Sequence, residues 1–202
     1  MLLWLALTVT NADAACEPYW PIHFRVDLAM VTDALADQEF VDARAHLGKI
    51  RHQLLCLTAV VDASLFAKFA RFTAFAHLLS QDQTGARRWL LSARLAAPGL
   101  PWNPVVFPPN HPLRNLDMRI ESAAPNQLTR GLRPPKGGGI FLNGHLAIDA
   151  SAPVGALYLA QAFDGDGTPI DGWWQDSGTF PDAYLTKRFL SPPVPSWWSP
   201  GR

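Results

Sequence analysis

Apolar residues recur at three- and four-residue steps through the first half of the chain, and at two-residue steps after about residue 140. The first pattern predicts helices. A short one covers Asp27 to Ala36. Asp37 is placed to cap a second, running to about Leu55, with Phe40, Ala43, Leu47, Ile50 and Leu54 on one stripe. Asp62 is placed to cap a third, with Leu65, Phe69, Phe72, Ala76 and Leu79 inward. Asp82 caps a fourth, whose inward residues are Ala86, Leu90, Ala93 and Ala97, and Pro98-Gly99 ends it. The connections are brief, so successive helices are expected as antiparallel hairpins.

Pro101 to Pro112 carries five prolines and reads as a turn-rich connector. Pro112 suits the first turn of a short helix bearing Leu113, Leu116 and Ile120. Residues 123–139 are polar, contain Pro134-Pro135 and Gly137-Gly138-Gly139, and read as a linker. The two-residue period then predicts a hairpin. Ile140 to Leu142 and His145 to Ile148 flank Asn143-Gly144, a pair suited to a turn that needs positive φ twice. A second hairpin joins Ala156–Phe163 to Thr168–Trp174 through Asp164-Gly165-Asp166-Gly167, with Asp171 to Gly178 prolonging the return. The same aspartates could be read as a calcium loop, but the closing glutamate is missing and a turn uses them more simply. The fold class expected is α+β, with helical hairpins at 15–122, a small antiparallel β-module at 140–185 and an extended Pro/Trp tail at 186–202.

Between Leu65 and Pro98, the small residues Ala74, Ala86 and Ala93, the large Leu90 and the terminal Pro98 resemble a tetratricopeptide (TPR) repeat. The earlier helix pair is similar to a degenerate copy, in which Ala43 matches Ala86 while Ile50 and Leu55 stand where alanine and proline belong. The resemblance implies close helix pairs and a concave surface that takes a peptide or protein. The glycines leading into Leu142-Asn143-Gly144 resemble small PEGA-like surface-layer modules.

At the amino terminus, Leu2 to Val9 is an apolar run of signal-peptide length, and Ala12-Asp13-Ala14 fits a small-x-small cleavage site. Residues 1–14 are therefore expected to be a leader cleaved after Ala14, with a secreted, periplasmic or cell-envelope destination. Cys16 and Cys56 are the only cysteines, and in an oxidising compartment they read as one disulfide.

Charge narrows the partner class. Lysines and arginines number 17 and acids 17, for a formal net charge of +0, which excludes a nucleic-acid binder reliant on counterion release. The leader run is too short to span a bilayer, so no membrane-spanning segment is expected. No phosphate loop, nucleophile elbow or His-Glu-x-x-His is present, and no cofactor or metal site is expected. The leading expectation is an exported, non-enzymatic interaction protein with a protein or peptide partner. A second places a glycan or cell-wall fragment on Trp173 or Trp174 beside Asp176, since a planar indole next to polar groups stacks on sugars. Adjacent strand residues face opposite sides, so one of those indoles is expected in the core and only the other could be exposed; two packing tryptophans in a small β-module short of core are the favoured alternative. A third is an enzyme in which His111 or His145 meets an acid and a nucleophile. Two hairpins make a short solenoid, so a second copy or a partner capping the stack is a further expectation.

Overall fold

The computed structural model describes residues 16–120, 131–147, 155–176, 180–186 and 194–199. The leader read at residues 1–14, and the strand ends read at Ile148 and Gly178, lie outside them. The architecture is mixed α and β, helices first. In order come α1 (Pro21–Ala36), α2 (Phe40–Gln53), a 3-10 turn (Leu54–Cys56), α3 (Ala63–Leu79), α4 (Gln83–Ala96) and α5 (Pro112–Met118). Then follow β1 (Gly131–Leu132), β2 (Gly139–Leu142), β3 (His145–Leu146), β4 (Leu157–Phe163), β5 (Pro169–Asp176), a 3-10 turn (Asp182–Tyr184) and β6 (Leu185–Thr186).

Local chemistry sets the helix ends. Asp62 accepts the Leu65 N–H at 2.9 Å and Asp82 accepts the Gly85 N–H at 2.8 Å, so both expected caps form. Asp37 does not cap α2. It terminates α1, Gln38 follows with a positive φ of 63°, and Glu39 precedes α2 without a side-chain cap bond. Helix α1 also begins six residues earlier than Asp27, at Pro21, where proline's fixed φ suits the first turn and its missing N–H costs nothing. From the inward stripes expected of α2 and α3, Phe40 and Leu79 are 40% and 48% exposed and Leu65 is half-buried.

Helix α3 is the centre of the core. Residues Phe66, Ala67 and Phe69 to Phe75 are all buried, because α1 and α2, α4, α5 and the sheet surround it. The N-terminal segment is tied to this body twice. Cys16 and Cys56 form a disulfide with a Cα–Cα distance of 5.5 Å, and Tyr19 pairs with Leu57 in a parallel bridge. Closing that loop stabilises the fold by roughly 4 kcal/mol on the chain-entropy account.

The main sheet has strand order β3-β2-β4-β5, all antiparallel, and β1 pairs with β6 separately. The β2–β3 turn takes positive φ at Asn143 (50°) and Gly144 (92°), as the Asn-Gly pair requires. Alternate residues of β5 face the helices. Gly172 lies against Leu55, Trp174 sits among Phe66, Phe69 and Trp89, and Asp176 pairs with Arg88 of α4 at 2.5 Å. The opposite face carries Ile140, Ala162 and Trp173 under Leu132, Phe180, Tyr184 and Leu185. Both faces are thus covered, which is why β4 is buried from Tyr158 through Phe163 with no exposed alternation. The stretch read as a linker, 123–139, holds β1 and the first residue of β2. Its Gly138 packs so closely on the Phe163 carbonyl that no side chain fits there.

Polar side chains join the layers. Ser92 of α4 accepts the Leu157 N–H at 2.9 Å, and His145 Nε2 lies 2.7 Å from the Ala96 carbonyl at the end of α4. Arg94 donates to the Asp117 carboxylate at 2.8 Å and to the carbonyls of Asp117 and Ile120, fastening α5.

Candidate functional site

The first helices of the two hairpins, α1 and α3, bound a groove of about 530 Å³ whose remaining wall is the proline-rich connector. Its floor is apolar: Leu28 from α1, Leu65 and Phe72 from α3, and Phe107 from the connector. Phe107 is held by edge contacts with Phe75 and Trp102, and by Phe72 at 5.9 Å between ring centroids. The chain's own connector therefore fills part of the inter-helix surface, and the open groove lies between it and α1.

Three cations border the space. Arg25 and Lys68 are exposed on α1 and α3, while Arg71 is buried in the wall. Arg71 donates to the carbonyls of Leu100 at 2.7 Å and Pro101 at 2.9 Å, and its guanidinium carbon lies 4.2 Å from the centre of the Trp102 ring. Burial pushes its pKa below the usual arginine value, while the charge of Asp117 works the other way. Among the described residues, none of the three cations has a carboxylate within ion-pair distance. The carboxylate lining the groove is Asp33 of α1. A buried arginine inside an apolar, aromatic helix was the available sequence signal for this wall, and the helical period alone did not single it out.

The residues predicted from sequence fall elsewhere. Trp174 is half-buried in the helical core: its Nε1 donates to the Arg51 carbonyl at 3.0 Å, and the Arg51 guanidinium lies over its ring. Trp173 points to the other face and stacks on Tyr184, ring centres 5.0 Å apart and planes 4° from parallel. Its Nε1 donates to Gln175 at 3.1 Å. Both indoles therefore pack, the second because β6 and the turn before it close over its side of the sheet. Asp176, on the helical face, is engaged by Arg88. Trp197 and Trp198 pack on Phe141 and Phe163, and Trp197 donates to the Asp164 carbonyl at 3.1 Å, so these two tail residues lie on the protein's own sheet. Asp164 accepts the N–H groups of Asp166 and Thr168, which is turn geometry.

His111 accepts the Leu113 N–H and is wedged between Phe75 and Phe107, where burial lowers its pKa. His145 shares a second cleft, of about 430 Å³, with Asp62 and Ser64. Those three residue types are the ones acyl transfer uses, but Asp62 is committed to the α3 cap and His145 to the Ala96 carbonyl. No hydrogen bond joins the three among the described residues. No helix among them is long and apolar enough to cross a membrane. Comparison with protein-family models, curated protein sequences and solved structures returns no match.

Proposed function

We infer that this is an exported binding protein, TPR-like in its helical part, that takes an extended peptide or a loop of a partner protein in the α1–α3 groove. The observation that carries the reading is the groove itself: an apolar floor bounded by exposed cations that form no ion pair among the described residues. Apolar floors bury a ligand's side chains, and Arg25 and Lys68 offer donors to its carbonyls or acidic groups. The Cys16–Cys56 disulfide supports export, since such bonds persist outside reducing compartments.

A positional-scanning library of labelled peptides, read by fluorescence anisotropy against the oxidised protein, tests it. Selected sequences should bind with a dissociation constant on the order of 10 µM. Lys68→Glu should weaken them about fivefold or more, while Asp166→Lys in the β4–β5 turn should not. Failure to select any sequence, or binding indifferent to Lys68→Glu, would overturn the reading.

A further inference from the structure

We propose that the outer face of α1 is a self-complementary surface through which two copies of this chain pair, antiparallel, about a two-fold axis near Ala29. The inference goes beyond the groove reading and does not depend on it.

Helix α1 is apolar on two sides. Phe24, Leu28, Val31 and Leu35 enter the core, yet Ile22, Val26 and Met30 form a second ridge at four-residue steps that is 60%, 52% and 45% exposed, with Trp20 at its start 54% exposed. A surface helix of a monomer carries polar groups on that side. The other end of the helical stack differs, since α4 is covered by β4 and α5.

The neighbouring row on the same exposed face says what covers the ridge. It reads Arg25, Ala29, Asp33, all exposed, with opposite charges about 12 Å apart along the axis and a small residue halfway between. Neither charge is in an ion pair among the described residues. In a two-fold pair, residue i meets residue j and j meets i. A second α1 turned end for end sets its Asp33 beside Arg25 and its Met30 beside Val26. The midpoint of the first pairing is Ala29 and of the second Leu28, so a single crossing satisfies both. Ala29 at the crossing lets the ridges interlock at short range. A parallel pairing would instead set arginine against arginine. Arg25 and Asp33 also edge the α1–α3 groove; the pairing takes Arg25 from it and leaves Lys68 as its exposed cation, with the floor of Leu28, Phe72 and Phe107 in place.

Sedimentation velocity on the oxidised full chain tests this. The wild type should shift from monomer to dimer with a dissociation constant on the order of 10 µM. Val26→Glu should raise that constant at least about tenfold. Arg25→Asp and Asp33→Arg should each raise it several-fold, and the double exchange should return it toward wild type, because the reversed pair is again complementary. Ala29→Cys should give a covalent dimer on oxidation, whereas Met118→Cys, exposed on α5, should not. This last pair keeps the proposal testable if Val26→Glu folds poorly. A wild type that stays monomeric at about 100 µM, or a double exchange no better than the single changes, would overturn it. So would a Val26→Glu chain that is monomeric like the wild type but less stable, the result expected if the chain's own residues 1–15 cover the ridge.

Discussion

The side-chain amide of Gln161, in the central strand β4, accepts the backbone N–H of Val61 at 2.9 Å, a hundred residues away in the chain. The same amide donates to the Ala59 carbonyl at 3.1 Å, so one side chain serves as the next strand's backbone for the segment entering α3. Replacing it by leucine keeps the volume and strands a buried donor. Gln161→Leu should lower unfolding free energy by about 2–3 kcal/mol, because a buried unpaired group loses its full solvation. Urea titrations followed by tryptophan fluorescence and by far-ultraviolet circular dichroism should coincide in wild type, since helices and sheet share one core through Leu159 and Trp174. Two separated transitions would contradict that coupling.

Two glycines should respond to alanine with opposite signs. At Gly172 a Cβ would lie 2.6 Å from the Leu55 carbonyl oxygen and 3.2 Å from that residue's carbonyl carbon and Cα. All three atoms are backbone, so β5 would have to move off the helical layer, at about 1–3 kcal/mol. At Gly48, inside α2, nothing lies within 4 Å of the same atom. Alanine there should stabilise the protein by about 0.5–1 kcal/mol through helix propensity alone. Urea midpoints of the two variants should move in opposite directions; a matching loss at both sites would sink the close-approach argument.

These sites also mark where the sequence was and was not legible. Helices α3 and α4 were readable because capping aspartates and a helical period coincide at Asp62 and Asp82. The Asn143-Gly144 turn was readable because few other pairs tolerate two positive φ angles. The start of α1 was not. Ile22, Val26 and Met30 alternate with Phe24 and Leu28 around the helix, so the first turns show no stripe, and the period emerges only after Asp27. Nor could Asp37 be told from Glu39 as the start of α2, since the backbone reversal at Gln38 decides it. The docking of the sheet was hidden for a different reason. Gln161 and Gly172 read locally as a polar residue and a strand weakener, and their roles depend on chain segments 100 or more residues away. The groove was not legible, because Arg71 and Trp102 come from separate elements.

All three tyrosines of the chain should resist ionisation in the native state. Burial raises Tyr19 far above its ordinary value near 10, and its hydroxyl donates to the Asp27 carboxylate at 2.7 Å, which deepens the effect. Burial alone raises Tyr158. Tyr184 is pushed up to about 12, first by burial and then by the charge of Asp171, whose carboxylate accepts its hydroxyl proton at 3.2 Å. Each folded-state value exceeds the unfolded one, so the neutral form is the one the fold favours. The associated stability is complete below about pH 10 and falls as pH rises from there, through about 12 for Tyr184 and beyond it for the other two. Near-ultraviolet titration should show little tyrosinate at about pH 10.5 in the native protein and a normal titration near 10 in guanidinium. Asp171→Asn should bring the Tyr184 transition down only part of the way, since burial, the larger cause, remains. A native titration near 10 for all three rings would mean that the packing around Asp27 and beneath β6 is looser than the hydrogen bonds require.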